Sequence, residues 1–329
     1  MKLLAQDLKA LAAELNFQEE VLDKVLRLLS LLEAFRKAPF LDDQIVLKGG
    51  TALNLFLFNV PRLSVDIDLN YVGSSMAATM TAERPKLEQV IAAICGRESL
   101  TVKRIPADHA GGKWRLTYIN ALDRNANLEI DLNFMLRVPL WPVQRLDSRP
   151  IGPYQARSIP VLDFHELAAG KLVTLLARHA SRDLFDARQI LQHQELEPDK
   201  LRAAFVVYGA FNRKDWRTVA IDDVDLDVEE VRRQLLPVLR GKTSPKRSEL
   251  QSWTAQLVAD CRQQLQAVLP FREHERAFLE NLLEHGEIEP ELLTRQPELV
   301  ERIRHQPLLR WKATNVRKHK DLPPLAEVE

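Results

Sequence analysis

The stretch that decides the fold runs from residue 47 to residue 71 and reads LKGGTALNLFLFNVPRLSVDIDLNY. It contains a glycine turn at Gly49 and Gly50. Asp66 follows Gly50 by sixteen residues, and one residue lies between Asp66 and Asp68. Glycines let backbone N–H groups approach a phosphate. Paired carboxylates offer the oxygen ligands that Mg²⁺ prefers, and Mg²⁺ also bridges substrate phosphates. Together these features predict the two halves of a nucleotide-transfer site.

Hydrophobic periodicity predicts the elements around this pair. Residues 65–70 alternate between apolar and polar side chains, which is the period of a strand with one polar face. Asp66 and Asp68 therefore point the same way. Residues 45–47 (IVL) predict a short buried strand, and residues 51–58 (TALNLFLF) predict a helix. The predicted order is strand, glycine turn, helix, turn and strand.

Each of these features also has an ordinary explanation. Two adjacent glycines often form a plain turn, and two alternate aspartates often lie on a solvated strand face. Glycosyltransferases also use such a pair of aspartates to hold a metal ion and a nucleotide sugar. The ordered combination favours nucleotide transfer, because a glycosyltransferase has no place for the Gly-Gly-Thr turn.

Composition limits the class of protein. The 329 residues predict one large domain or two ordinary ones, and 46% hydrophobic residues is normal for a globular protein. The 46 basic and 46 acidic residues balance, which excludes a strongly basic protein that coats nucleic acid but permits a local basic patch. Cys95 and Cys261, widely separated in the sequence, form no metal-ligand spacing and suggest no disulfide scaffold.

The same sequence predicts no membrane association. No apolar run reaches the length of a transmembrane helix. The short apolar run at the N-terminus is interrupted by Asp7 and Lys9, which is typical of an amphipathic helix rather than a signal peptide. We therefore expect a cytoplasmic protein.

A third carboxylate is predicted in a later strand. In residues 128–134 (LEIDLNF) the apolar side chains share one face and Glu129, Asp131 and Asn133 share the other. Asp131 is thus a candidate to join the first two aspartates, although an ordinary polar strand face is the alternative. The other predicted elements are helices within 1–36 and at 85–95, a loop at 73–81, strands at 100–105 and 113–119, and a polar turn at 120–127.

The chain is predicted to be helical from about Asp163. Asp163 is a candidate N-cap, and Glu166 three residues later completes the pattern of a capping box. On one continuous helix, Lys171, Arg178 and Arg182 share a stripe, with Asp186 beside it. The stripe is either a solvated charged face or a set of cations presented to a triphosphate.

Three further segments have distinctive composition. Residues 222–230 hold six acidic residues in nine and predict a solvated linker or a helix start. Gly241-Lys242-Thr243 is not a Walker A loop, because no glycine lies five residues before Gly241 and no strand leads into it. Residues 301–320 hold seven basic residues, one acidic residue and Trp311. This last segment either grips RNA and stacks a base, or forms a basic surface helix with Trp311 packed inward.

Two blocks of sequence carry a resemblance to a known family. Residues 48–53 (KGGTAL) and 61–68 (PRLSVDID) resemble the AbiEii/AbiGii toxin family of nucleotidyltransferases. These are the toxin halves of type IV toxin–antitoxin and abortive-infection phage-defence systems. Residues 165–186 resemble the later signature of that family. The family usually has an acidic residue where this chain has Val65, a departure of little consequence because that side chain faces away from the two aspartates.

The resemblance implies a fold and a reaction. The implied fold is α+β, with a DNA-polymerase-β-like nucleotidyltransferase core of a short mixed sheet and N-terminal helices in residues 1–155 and a helical C-terminal domain in residues 156–329. The implied reaction is Mg²⁺-dependent transfer of a nucleotidyl group from an NTP to an acceptor, with release of pyrophosphate. For some relatives the acceptor is the 3′ end of tRNA. An antitoxin encoded nearby is also implied, without a necessary physical interface.

The resemblance also implies roles for residues. Asp66, Asp68 and Asp131 hold Mg²⁺, and Lys171 neutralises charge on the phosphates. Either Asp183 or Asp186 orients Lys171 or accepts a proton. The alternative role for Asp183 is that of a plain helix cap. For Lys48 the alternative is a structural role. For Arg62 the alternative is an ion pair within the core. The residues implied in binding the triphosphate are Lys48, Gly49, Gly50, Thr51, Arg62 and Ser64.

Two other functions remain open at the level of sequence. One is a nucleotidyltransferase of the same fold that modifies a protein or a small molecule. The other is a catalytically idle binding protein that acts through its partner, against which the intact candidate residues argue.

Overall fold

The structure is a computed structural model that describes residues 3–106, 108–241 and 244–325. Lys242 and Thr243 of the Gly-Lys-Thr segment lie outside the described residues. The chain forms two compact units, each built from separate stretches of sequence. Unit 1 comprises Met1–Arg137, Val143–Leu162 and Arg232–Arg247, and unit 2 comprises Val138–Pro142, Asp163–Val231 and Ser248–Glu329. A domain boundary between residues 155 and 156 stays a prediction.

Unit 1 is organised around a seven-stranded mixed sheet, which confirms the predicted α+β class. Its strand order is β3-β4-β5-β2-β1-β7-β6. The β2–β5 and β1–β7 pairs are parallel, and the other neighbours are antiparallel. The strands are β1 (Ile45–Lys48), β2 (Asp66–Tyr71), β3 (Thr101–Arg104), β4 (Gly111–Ile119), β5 (Asn125–Asn133), β6 (Gln144–Leu146) and β7 (Ile159–Val161).

The apolar faces predicted from alternation form the core of unit 1. Ile67 and Leu69 of β2 and Ile130 of β5 are essentially inaccessible to solvent, so burying them stabilises the sheet. Helix α2 contacts α5, β5 and β7, and the helices predicted in the first 36 residues are confirmed. The helices of this unit are α1 (Ala5–Leu15), α2 (Glu19–Arg36), α3 (Pro39–Asp42), α4 (Gly49–Thr51) and α5 (Ala77–Arg97).

The helix after the glycine turn differs from the prediction in its winding. It begins at Gly49, and after α4 it continues as a π-helix over Ala52–Leu57. The buried Asn54 side chain donates from Nδ2 to the carbonyl oxygen of Gly50 at 2.9 Å. This bond competes for the acceptor that an α-helical N–H of the same residue would use. The wider turn is a type of distortion found often at functional sites.

Two boundaries in unit 1 were predicted wrongly. The loop predicted at 73–81 is helical from Ala77 onward, and α5 contains Pro85 in its interior instead of starting there. Tertiary contacts hold the turns before the proline, because Met80 is buried and Glu83 accepts a 2.6 Å hydrogen bond from the Tyr71 hydroxyl. The polar turn after β4 is shorter than predicted, since β5 already begins at Asn125.

Unit 2 is helical, as predicted from residue 163 onward. Helix α6 contacts α7 and α8, and α10 contacts α7. The acidic segment 222–230 forms two short helical turns, at Ile221–Asp223 and in α9. The helices are α6 (Phe164–Arg178), α7 (Ser181–Leu191), α8 (Pro198–Ala210), α9 (Val228–Glu230), α10 (Leu250–Gln264), α11 (Glu273–Glu280), α12 (Pro297–Arg304) and α13 (Pro307–His319). Within the described ranges, no helix combines the length and the apolar character that crossing a membrane requires.

A break between α6 and α7 corrects the predicted stripe of cations. His179 takes a left-handed conformation with φ 55°, which ends α6, and α7 begins at Ser181. Lys171, Arg178 and Arg182 therefore do not share one helix face. The break brings the start of α7 back towards α6, where the two helices exchange the ion pairs described below.

Of the capping box predicted at the start of α6, the N-cap is confirmed and the part assigned to Glu166 is wrong. Asp163 caps the helix, accepting a 2.8 Å hydrogen bond at Oδ1 from the His165 N–H. Glu166, only 1% exposed, instead accepts hydrogen bonds from the Trp141 N–H at 3.2 Å and the Tyr208 hydroxyl at 2.8 Å. Burial raises the pKa of Glu166 to about 7 and outweighs these hydrogen bonds, which lower it.

The raised pKa of Glu166 predicts a pH-dependent stability. Between its ordinary pKa of 4.5 and about 7, the folded state binds the Glu166 proton more tightly than the unfolded state, so stability falls as pH rises through this window. Glu166→Gln removes the titrating group. We expect the Tm of wild type relative to this variant to fall from pH 5 to pH 8, measured by circular dichroism. The control is Glu195→Gln at an exposed glutamate. Parallel Tm curves for Glu166→Gln and wild type would contradict this prediction.

Candidate functional site

The sheet of unit 1 brings the predicted carboxylates together. In the parallel β2–β5 pair, Asp68 lies opposite Asp131 and Asp66 lies opposite Glu129. Side chains of opposed residues share a face of the sheet, and these four are all partly exposed. We call these four residues the carboxylate face. In the neighbouring β1, Lys48 lies opposite Asp68.

The glycine turn packs directly against this face. Gly49 has a φ of +74°, and a Cβ at this position would lie 2.1 Å from Oδ2 of Asp68. A side chain at residue 49 would therefore both strain the backbone and overlap the carboxylate. The absence of a side chain at Gly49 allows Asp68 to occupy its position.

Thr51 fastens the start of the helix to the strand that carries the aspartates. Its side chain is fully buried, and its Oγ1 donates a 2.6 Å hydrogen bond to the backbone oxygen of Asp66. The first N–H groups of a helix lack an acceptor within the helix, which suits them to an anion. Because the helix begins at Gly49, the glycine turn supplies such N–H groups beside the carboxylate face.

A lysine that sequence reasoning missed lies on the edge of this face. Lys113 of β4 is paired with Asp131 in the antiparallel register, and its Nζ donates to Glu129 at 3.0 Å. The hydrogen bond to Glu129 and the nearby charges, including Asp66 and Asp131, raise the pKa of Lys113 above its usual value against the effect of burial. The alternation of residues 113–119 is visible in the sequence, but the cross-strand register is not.

The other residues predicted to bind the triphosphate divide into two groups. Lys48 is partly exposed beside Asp68. Arg62 and Ser64 are buried in unit 1, and Arg62 donates from Nη1 to the backbone oxygen of Leu63 at 2.9 Å. This location favours the core role that the sequence left open for Arg62.

The donor set of the carboxylate face fits Mg²⁺. Across the described parts of the chain, no three His, Cys, Asp or Glu side chains form a ready-made metal cluster. Proteins usually hold Mg²⁺ through one or two carboxylates together with water and substrate phosphates, not through a complete protein cage. Asp66 and Asp68, with Asp131 on the adjacent strand, offer this kind of open oxygen site.

Unit 2 contains the second group of predicted residues. Lys171 of α6 contacts both candidate acids of α7, with Nζ 2.7 Å from Oδ1 of Asp183 and 3.2 Å from Oδ2 of Asp186. Arg178 also binds Asp183, with Nε 2.8 Å from Oδ2. The Asp183 and Asp186 side chains are nearly inaccessible to solvent, and that of Lys171 is 10% exposed. Both acids therefore fix the position of Lys171, and Asp183 does not act as the N-cap of α7, which is Ala180.

The two cationic partners of Asp183 favour the charged form of its carboxyl group. Burial raises the pKa of Asp183, but Lys171 and Arg178 together outweigh it and hold this pKa below its ordinary value. A buried carboxylate with two cationic partners remains ionised at neutral pH. The cluster is thus a stable support for the Lys171 ammonium.

Comparison with known proteins places this fold among nucleotidyltransferase toxins. The model of a family described as "Nucleotidyl transferase AbiEii toxin, Type IV TA system" matches residues 30–302. Among solved structures, MenT4, the nucleotidyltransferase toxin Rv2826c from Mycobacterium tuberculosis H37Rv, is similar with a TM-score of 0.58 and 16% sequence identity. The similarity covers 91% of this chain and 98% of that chain. No curated protein matches the chain significantly.

The contact at Gly49 predicts a large effect of a small substitution. Gly49→Ala places a Cβ on the Asp68 carboxylate at a positive φ, and we expect a loss of about 2 kcal/mol or more in the free energy of unfolding. Gly96→Ala is the control, because that helical glycine has open space around its Cβ position. Urea unfolding measures both variants. Equal stability of the two would show that Gly49 tolerates a side chain.

The buried ion pairs in unit 2 predict a stability effect that depends on pH. Asp183→Asn removes a carboxylate that binds both Lys171 and Arg178, and we expect a loss of about 3 kcal/mol in the free energy of unfolding near neutral pH. Since the pKa of Asp183 is lowered on folding, its contribution is present above its ordinary pKa and is lost as pH falls through the lower, folded value. The Tm difference from wild type should therefore shrink in strong acid. Asp199→Asn, at an exposed pair with Arg272, is the control, and a similar Tm loss in both variants would contradict the prediction.

Proposed function

Because the chain belongs to the AbiEii nucleotidyltransferase toxin family of type IV toxin–antitoxin systems, we propose that it transfers a nucleotidyl group from an NTP to RNA, with the 3′ end of tRNA as acceptor. The observation that carries the proposal is the register of β2 and β5, in which Asp68 lies opposite Asp131 beside the glycine turn. This arrangement supports the proposal because it sets the glycine turn beside carboxylates of the kind that bind Mg²⁺.

The reaction uses this arrangement as follows. A hydroxyl oxygen at the RNA terminus attacks the α-phosphorus of the NTP, the bond from that phosphorus to the bridging oxygen breaks, and pyrophosphate leaves. The hydroxyl proton passes to solvent at the partly exposed face. Most of the catalytic effect in phosphoryl chemistry comes from positioning and from electrostatic stabilisation, which are the contributions that a rigid sheet and a helix start can make.

Individual residues take distinct roles in this proposal. Asp66 and Asp68 hold Mg²⁺, and Asp131 completes the site. When bound, Mg²⁺ neutralises phosphate charge and lowers the pKa of the attacking hydroxyl. The N–H groups of Gly49 and Gly50 bind the triphosphate, as anions are bound at helix starts.

The charged cluster of unit 2 contains one residue with an implied role in the reaction. The family resemblance assigns neutralisation of phosphate charge to Lys171, and this role stays a prediction. Asp183 and Asp186 are positioning residues, since each contacts Lys171 and neither is exposed. Holding the ammonium in place before reaction avoids the cost of ordering a flexible lysine side chain.

The biological consequence follows from the acceptor. A nucleotide added to the 3′ end of tRNA blocks aminoacylation, so the proposed activity stops growth or phage propagation. We expect the gene of an antitoxin nearby, which restrains the activity without necessarily binding this chain. We expect the reaction to take place in the cytoplasm, where both proposed substrates, NTP and tRNA, are found.

Transfer of label tests the proposal. Purified protein is incubated with total tRNA, Mg²⁺ and each α-³²P-labelled NTP in turn. We expect a labelled tRNA band with at least one NTP, and a loss of about a hundredfold or more in rate for Asp66→Ala, because the phosphates lose a bound metal. Asp7→Ala, at an exposed aspartate of α1, is the matched control and should keep wild-type activity.

The other outcomes separate the remaining functions. A labelled protein band with unlabelled RNA would indicate that the acceptor is a protein and not RNA. Label on neither, with growth arrest in cells unchanged by Asp66→Ala, would favour a non-catalytic binding protein. Label on tRNA that persists in Asp66→Ala would refute the role given to the carboxylate face.

A further inference from the structure

Unit 2 carries a surface groove that the proposed reaction does not use. The groove has a volume of about 460 Å³ and is lined by α13 with Lys320 after it, by residues 211–213 after α8, and by Leu283. Three of its lining residues, Arg213, Lys312 and Lys320, are cationic, and none is a carboxylate. Lys320 also pairs with Glu284 outside the lining, and Lys312 donates to the backbone oxygen of Asn212 at 2.9 Å. The groove therefore favours an anionic ligand.

The wall of the groove includes an exposed tryptophan. The Trp311 side chain is 54% exposed, whereas Trp114 and Trp216 are buried at 1% and 0%. The alternative of a Trp311 packed inward is therefore wrong. Leu309 and Ala313, four residues apart, form the buried face of α13, and Trp311 lies midway between them in sequence, on another side of the helix.

Flat apolar surface, cations and amide groups occur together in this groove. Phe211, Leu283 and Val316 make its lining largely apolar beside Trp311, and Asn315 adds an amide. A purely apolar partner would make no use of the cations, of which Lys320 already pairs with Glu284. An unpaired base presents a flat π face for stacking on tryptophan, and its flanking phosphates match the cations. Duplex nucleic acid offers no free base face except at its ends.

We propose that this groove binds a single-stranded segment of the RNA acceptor, with one unpaired base stacked on Trp311 and the adjacent phosphates at Arg213 and Lys320. The identification of the ligand as RNA rests on the proposed function. The stacking and the charge match rest on the groove alone. The bound segment adds affinity for the acceptor that does not depend on the NTP or on the metal.

Binding of short RNAs to the full chain tests this inference without NTP or Mg²⁺. Fluorescence anisotropy of a labelled single-stranded oligonucleotide gives Kd. The chain has five tryptophans, so the contribution of Trp311 to the intrinsic fluorescence is the part of the signal that Trp311→Ala removes. We expect Trp311→Ala to weaken Kd about tenfold and to remove the quenching that RNA causes in wild type. Trp311→Phe should retain part of the affinity. Because the Trp311 side chain is exposed, we expect both variants to fold as the wild type does, and circular dichroism checks their folding.

Charge variants on the same surface separate the groove from general attraction. Arg213→Ala should weaken binding and reduce the salt dependence of log Kd by about 0.7. Lys318→Ala removes an exposed cation of α13 that does not line the groove, and it should have little effect. Equal effects of both variants, or equal affinity for single strands and for the duplex of the same sequence, would overturn the proposal.

The binding experiment and the labelling experiment test the groove proposal and the proposed function separately. If tRNA is labelled but Trp311→Ala binds RNA as wild type does, the groove proposal is wrong and the proposed function stands. If no RNA is labelled but single strands still quench Trp311 and lose affinity in Trp311→Ala, the groove proposal stands as an RNA-binding site and the proposed function fails.

Discussion

A carboxylate oxygen of Asp68 lies where the side chain of residue 49 would begin. A glycine leaves this space open, and Gly49 also has a positive φ of 74°, which residues with a side chain rarely adopt. The Thr51 hydroxyl then ties the helix to the strand of Asp66 from the other side. This close approach and this hydrogen bond relate β1, the glycine turn, the helix and β2 to one another. The other strands of unit 1 extend the sheet outward from β1 and β2.

The sequence predicted those parts of the site that depend on local periodicity. Alternation placed Asp66, Asp68 and Asp131 on polar strand faces, because side-chain direction in a strand repeats every two residues. The proximity of Asp68 to Asp131 depends on a parallel pairing of strands some sixty residues apart, which no local pattern encodes. For the same reason Lys113 went unrecognised, since its place beside Asp131 is set by the register of a hairpin.

The errors in unit 2 arose where tertiary contacts overrode helical pattern. A continuous helix over residues 164–190 satisfies the apolar spacing, but it would leave Asp183 and Asp186 without the partner that they find in Lys171 across the break at His179. Buried carboxylates without cations are costly. Glu166 likewise became a buried acceptor for Trp141 and Tyr208 instead of closing a capping box. The presence of helices in this region was thus predictable from the sequence. The position of the break between α6 and α7 depended on where the buried charges pair.

The discontinuity of unit 1 has a consequence for synthesis of the protein. Residues 232–247 belong to this unit, and Arg62 forms an isolated β-bridge with Leu239. The ribosome produces the stretch 163–231 of unit 2 in the interval, so the nascent chain holds an incomplete first unit while it begins the second. Unit 1 closes only after residue 247 has emerged, and unit 2 only after its last helices follow. A chain that terminates before residue 247 therefore lacks part of the unit that carries the carboxylate face.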